Sequence, residues 1–387
     1  MKILHTSDWH LGHTLYNYDR TEEQMAMLLQ MIDIVRDEKP DVFLLCGDVY
    51  HTPLPSAAVQ TIFTNALVEI HNANPEMVIV ITAGNHDSGT KHDIFRTPWK
   101  ALNVFTIGSI NENMKEELII EVPQKGYIAA IPYVNERNMP KDFYQSILNT
   151  VEKQNDKDLP VIMTAHTTVR GCDFTGHDNA TDYTVGGIDS YDLKDMGTGY
   201  DYLALGHIHH GQFVHGGHHR VRYSGTPIPV SFDENYNHSV SIVEINRHGE
   251  EPVVREIEIR THRPLVTLPT VGAATWEDAR ELLENFPSDI EAYIRLNVEV
   301  DGFLPAEANA EALTITENKK CRFCVINTRR LNKNRREAKV MSVEEFKTEE
   351  PIEIAERYAE DLGIEFDNDM KELFREAITA LNEEDRM

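Results

Sequence analysis

Five short polar segments, each placed directly behind an apolar run, constrain this chain more than any other feature. They are Ser7-Asp8-Trp9-His10, Gly47-Asp48, Gly84-Asn85-His86-Asp87, Ala165-His166 and Gly206-His207-Ile208-His209. The runs before them are Ile3-Leu4-His5-Thr6, Val42 to Cys46, Met77 to Ala83, Val161 to Ala165 and Tyr202 to Leu205. Such runs suit buried strands, and strand carboxyl ends are where an open α/β sheet presents its ligands. Apolar positions at helical spacing lie between the first strands, at Met25, Leu28, Leu29, Ile32 and Val35 and again at Ala58, Ile62, Ala66 and Val68. Parallel βαβ units and a buried sheet are therefore expected.

Composition narrows the class. No run of eighteen apolar residues exists, so no membrane span is expected. The chain enters its first strand motif at once, without a signal-type segment, and its four cysteines do not read as a disulfide framework. A cytoplasmic protein is expected. Cys321-Arg322-Phe323-Cys324 is a lone pair with no second pair or suitably spaced histidines, so Cys324 reads as a small core residue. A net charge of -27 would repel free DNA, so any DNA affinity needs a local basic patch, bound metal or a partner.

Aspartate and histidine at convergent strand ends suit phosphodiester hydrolysis. Two cations about 3.5–4 Å apart can activate water and neutralise the leaving oxygen. One carboxylate must bridge them, and Asp48, ending its strand behind a glycine, is the natural bridge. Mixed oxygen and imidazole donors suit manganese, with iron or zinc also possible.

The wording of these segments resembles the calcineurin-like metallophosphoesterase superfamily, and within it the SbcD group of break-repair nucleases. His5 to Gly12, Gly47-Asp48-Val49-Tyr50, Ala204 to His209 and Ser224 to Glu234 carry the resemblance, which is dense over residues 1 to about 260. It implies an α/β fold: a metallophosphoesterase β-sandwich flanked by helices over 1–262, a small α+β cap domain over 263–340 contacting DNA, and acidic partner-binding helices over 341–387. It further implies that Asp8, His10 and His209 complete one Mn²⁺ site with Asp48, and that Asn85, His166 and His207 complete the other. By the same resemblance His86 faces the phosphate as a stabiliser or general acid, Asp87 orients its imidazole, and His51 touches substrate. The implied activity is that of a Mn²⁺-dependent double-strand exonuclease and hairpin or single-strand endonuclease. The implied assembly is a homodimer within a heterotetramer containing an SbcC-like SMC ATPase, with the helix after Pro55 as a candidate dimer surface. This chain has no phosphate-binding loop of the ATPase kind, so the ATP sites are expected on the partner.

The remaining histidines read more plainly. His71, His92, His238 and His248 are expected at the surface, and His210, His215, His218 and His219 on a solvated hairpin. Beyond residue 262, the pattern predicts a connection starting at Thr261, a helix from Thr275 to Phe286, a strand over 292–300, a helix over 305–313 and a strand over 321–327. Nine Lys/Arg between Lys319 and Lys339 form the one credible phosphate-contacting stripe, with Arg329, Arg330, Lys333, Arg335 and Arg336 as candidates. From 341 to 387 sixteen Asp/Glu stand against five Lys/Arg, with helical stretches near 351–362 and 367–382. Two other readings stay open: a phosphodiesterase for small esters, and an interaction scaffold with a vestigial metal site.

Overall fold

A computed structural model of the chain describes residues 1–111, 113–176 and 190–330, with the single positions 352, 370, 371 and 374. The basic run after Arg330, including Lys333, Arg335 and Arg336, lies outside the described residues, as do the expected tail helices apart from those four positions.

Two six-stranded sheets pack face to face. The first runs Val253–Glu258, Ser239–Glu244, Lys2–Thr6, Val42–Cys46, Val78–Thr82, Val104–Ile107. The last four of these strands are parallel, and the first two add antiparallel at one edge. The second sheet runs Gln212–Phe213, Val221–Tyr223, Tyr202–Gly206, Val161–His166, Gly126–Ala130, Ile119–Val122, with its inner four strands parallel.

Side-chain alternation divides the first sheet between two cores. Ile3, Val42, Leu44, Cys46, Val78 and Val80 meet Ile128, Ala130, Ile162 and Leu203 inside the sandwich. Leu4, Phe43, Leu45, Ile79 and Ile81 face the helices Thr21–Glu38 and Ala57–Ala73, against Met27, Met31, Phe63 and Ile70. Both faces are covered, which is why these strands read as unbroken apolar runs. Among the described residues no helix is long and apolar enough to cross a membrane.

One polar side chain sits inside the sandwich. His5 is fully buried, with Nε2 3.2 Å from the Leu205 carbonyl and Nδ1 3.0 Å from the Tyr202 hydroxyl. A carbonyl only accepts, so Nε2 donates and the neutral ring accepts from the tyrosine at Nδ1. Burial, with Arg222 nearby, pushes His5 down to about 3.

A three-stranded parallel sheet, Leu265–Leu268, Tyr293–Val300 and Arg322–Arg330, carries the helices Trp276–Asn285 and Ala308–Thr316 over a core of its own. Thr275 caps the first of these helices by accepting from Asp278 N, as its position predicts. Leu265–Leu268 corrects the sequence reading, which made this stretch a connection. Four residues between two prolines are too few to show alternation, and parallel pairing with Tyr293–Leu296 makes them a strand. Cys321 lies in this core, whereas Cys324 is half-buried beside Tyr293, and both thiols are free.

The two structural units meet at a buried polar knot. Glu23, 1% exposed, accepts from the Tyr293 hydroxyl at 2.8 Å and from Arg263 Nε at 3.2 Å. Arg20, Arg263 and Arg322 place their guanidiniums 5.8, 5.7 and 5.6 Å from the centre of the Tyr293 ring. One carboxylate thus answers a crowd of positive charge. Removing a single partner of a buried ion pair is costly, so Glu23→Ala should lower stability by about 3–5 kcal/mol, read from urea unfolding.

His5 yields a second expectation. Its ring stays neutral in the fold down to about pH 3 but protonates near its ordinary value of about 6.5 once unfolded. Its contribution is therefore whole above about pH 6.5 and is lost as pH falls towards the folded value. His5→Gln should reduce proton uptake on unfolding at pH 5 by about one, measured from the pH dependence of unfolding free energy. An unchanged slope would mean that the ring is already charged in the fold.

Candidate metal centre

The five strand ends converge because backbone replaces side chain at three points. A Cβ on Gly206 would lie 1.9 Å from the Cys46 carbonyl oxygen, one on Gly47 2.0 Å from His166 Nδ1, and one on Gly84 2.1 Å from Asp48 Oδ1. Only glycine allows these approaches, and Gly47 is also left-handed at φ +85°. The loops after the first two strands then zip together, with Asp8 N, His10 N and Leu11 N each donating at 3.0 Å to the carbonyls of Gly47, Asp48 and Val49. Asp8, His10, Asp48 and His207 take positive φ angles of 53°, 43°, 49° and 95°. Such backbone is uncommon for non-glycine residues and persists where the surroundings impose it, often at functional sites.

The donor atoms gather around Asp48. Its Oδ2 lies 3.3 Å from His166 Nε2 and 3.9 Å from His10 Nε2, so one carboxylate reaches towards both halves of the site. His10 Nε2 faces His209 Nε2 at 3.2 Å. On the other side Asn85 Oδ1 lies 3.0 Å from His166 Nε2 and 3.1 Å from His207 Nδ1. Asp8 lies between, 4.0 Å from His166 Nε2, and accepts from His207 N and from the Ser7 hydroxyl. Two groups of metal-ligating atoms result, Asp8 with His10 and His209, and Asp8 with Asp48 and His166, each within 4.8 Å.

Outer partners set the tautomers. His166 Nδ1 donates to the Cys46 carbonyl at 2.9 Å, and His209 Nδ1 donates to Glu234 at 3.0 Å. Their Nε2 lone pairs therefore point at other acceptors, and something positive must lie between. In the bare site a proton does this. Burial disfavours charge on His166, yet Asp48 and Asp8 beside it push the ring up to about 9. Burial likewise opposes ionisation of Asp48, but His166, His10 and His86 outweigh it and hold that carboxyl below the usual range. Asp8 is pushed up by burial, and His10 is driven well down by burial and the neighbouring imidazoles. Divalent cations would serve several of these donors at once, and the mixture of carboxylate, amide oxygen and imidazole fits them.

The family model of the calcineurin-like phosphoesterases matches residues 1–211. The chain belongs to that family. Phosphoesterases of this kind are metal-dependent enzymes, and the donor set above is where the metal fits. The chain is also similar to SbcD, the smaller-lettered half of the nuclease SbcCD, from Bacillus subtilis, at 30% identity over 79% of this chain and 81% of that protein. SbcD of Rhodobacter capsulatus matches at 30% over 71% and 73%, and SbcD of Escherichia coli K12 at 28% over 73% and 75%.

Within this phosphoesterase, all seven candidate ligands, Asp8, His10, Asp48, Asn85, His166, His207 and His209, come together. His86 and His51 stand beside them: His86 N donates to Asp48 Oδ1 at 2.8 Å, its Nδ1 donates to the His51 carbonyl at 3.0 Å, and the two rings stack with centroids 5.6 Å apart. Asp87 departs from expectation. Its carboxylate accepts from Val49 N, Tyr50 N and Gly84 N at 3.1, 3.0 and 2.9 Å, tying the two loops together, while the His51 carbonyl orients His86. Arg329 and Arg330 are exposed at the end of the strand Arg322–Arg330.

His92 and His238 are buried, not at the surface as expected. His92 packs under the Gly84–Asp87 loop, 3.6 Å from Asp87, and His238 lies 3.6 Å from Glu234, environments that local sequence does not reveal. Sequence reasoning also missed Glu234, although its segment was singled out, and His13, whose ring meets His51 edge-on at 4.7 Å. An acid within a Pro-rich segment was the available signal for Glu234.

Gly47→Ala should weaken Mn²⁺ uptake at least tenfold in calorimetric titration, because the added methyl strikes the His166 ring; unchanged affinity would show that the close approach does not matter. Displacing an aligned ligand or its support typically costs about 10–100-fold in metal affinity.

Proposed function

We propose that this phosphoesterase is a Mn²⁺-dependent DNA nuclease, cleaving duplex ends as an exonuclease and hairpins or single strands as an endonuclease. It would act with an SMC-like ATPase of the SbcC kind, as a homodimer within a heterotetramer. The observation that carries this reading is the convergence of seven oxygen and nitrogen donors about Asp48. The SbcD relatives, similar over most of both chains, support DNA as the substrate.

In this reading Asp8, His10, His209 and Asn85, His166, His207 hold two cations bridged by Asp48, which would activate water and neutralise the departing oxygen. His86 is the proposed general acid. Its Nδ1 is committed to the His51 carbonyl, which leaves Nε2 as the ring atom that holds or releases a proton, and an imidazole suits that work near neutral pH. His51 supports the His86 ring and is a proposed substrate contact. Asp87 is the brace that keeps the Gly84 loop against the Asp48 loop.

DNA would meet a surface of net charge -27, so the proposed contacts fall to Arg329 and Arg330, with Lys333, Arg335 and Arg336 beyond the described residues. The division assigns metal chemistry to 1–262, DNA contact to 263–340 and partner binding to the acidic stretch 341–387. The helix Ala57–Ala73 is the proposed dimer surface.

The test uses purified protein, alone and with the ATPase and ATP, on end-labelled hairpin duplex with Mn²⁺. Cleavage should vanish in Asp48→Ala. His86→Asn should cut turnover by about 10²–10⁴ while Mn²⁺ uptake is retained, as loss of acid catalysis would. Hydrolysis of bis(p-nitrophenyl) phosphate without any DNA cleavage would instead favour a small diester as substrate.

A further inference from the structure

The segment Ser224–Glu234 connects the metal centre to the three-stranded unit. At one end Glu234, 7% exposed, holds His209 through Oε1 at 3.0 Å. Its Oε2 accepts from Val230 N at 3.2 Å and lies 3.4 Å from the Thr226 hydroxyl, so the carboxylate is locked by its own segment. Arg20 donates to the Pro229 carbonyl at 2.6 Å, fixing the middle. The residues just before Glu234 are gripped from the three-stranded sheet. Arg295 donates through Nη1 to Asp233 at 2.6 Å and through Nη2 to the Phe232 carbonyl at 3.2 Å. Its Nε is held by Thr267 at 3.1 Å, and the guanidinium stands 5.2 Å from the Phe232 ring centre. Phe232 itself packs with Leu15 and Tyr293 at the junction.

We propose that Arg295 and Glu234 are positioning residues for the metal centre, so that seating the three-stranded unit on the sandwich sets the orientation of His209. The inference rests on the metal-binding reading above. The path is short: guanidinium to Asp233, one peptide bond to Glu234, carboxylate to imidazole, imidazole to cation. A ligand is steered by the acceptor behind it, so rotating Glu234 rotates the lone pair of His209. Anything that displaces the unit, whether nucleic acid or a protein partner, would then change the affinity of one cation position and leave the other unaffected.

The ordinary reading of Arg295 is a surface ion pair. The Asp233 side chain is 62% exposed, and pairs of that kind contribute little to stability. That difference makes the proposal testable by a readout that a mere surface pair would not move. Metal-stripped full-length protein is titrated with Mn²⁺ in a calorimeter, and its thermal unfolding is followed without metal. Glu234→Gln should weaken one of two binding events by about 10–100-fold. Arg295→Met should weaken the same event by roughly three- to tenfold, within the loss that its route through Glu234 allows. The double variant should match Glu234→Gln alone, because the two act in series. Arg295→Lys, which keeps the charge but not the forked grip, should fall between wild type and Arg295→Met and serves if the methionine variant folds poorly. Wild-type affinity at both positions in the folded Arg295 variants, or additive losses in the double variant, would overturn the inference. A wild-type protein that takes up no Mn²⁺ would instead refute the metal-binding reading on which it rests.

Discussion

The structure depends on a close approach of two sheets at the Cys46 carbonyl. Gly206 passes against that oxygen from one side, and His166 donates to it from the other. Any side chain at Gly206 would hold the strands Tyr202–Gly206 and Val42–Cys46 apart. With that approach allowed, the ends of both strands open onto the same small volume, and Asp48 and His166 become neighbours. The left-handed turns at Asp8, His10, Asp48 and His207 then follow as the backbone's way of aiming short side chains inward. Local strain is tolerated there because the buried sheets on both sides leave the loops no other course.

Around this centre the polar groups work in layers. The innermost donors have unshared lone pairs facing one another, an arrangement that a proton relieves and that cations would relieve more completely. Behind them stand Cys46, Glu234 and the His51 carbonyl, which choose the nitrogen each imidazole turns inward. Behind these, Asp87 pins two loops and Arg295 grips the segment that ends in Glu234. The outer layer reaches the three-stranded sheet, whose own junction is governed by Glu23 among three guanidiniums. The metal centre and the junction are therefore mechanically connected, although they belong to separate hydrophobic cores.

Much of this was legible in the chain. The apolar runs gave every strand that carries a candidate ligand, because strands buried on both faces leave a continuous signature. The helices Thr21–Glu38 and Ala57–Ala73 declared themselves by spacing, and Thr275 marked its helix start. The strand Leu265–Leu268 was not legible, since its identity comes from a partner lying beyond it in sequence. His92 and His238 failed for a related reason: burial of a lone polar residue is decided by what folds over it.

What the sequence by itself determined is chemistry and order: the donor types, the strand each one follows, and the glycines beside them. Those properties are local, written in composition and period. What only the tertiary structure decided is orientation. Asp87 went to backbone amides instead of the His86 ring, the His51 carbonyl took that ring, and Glu234 came to stand behind His209. Each of these is a choice among acceptors brought together by packing, and no period or motif along the chain encodes which acceptor will be nearest.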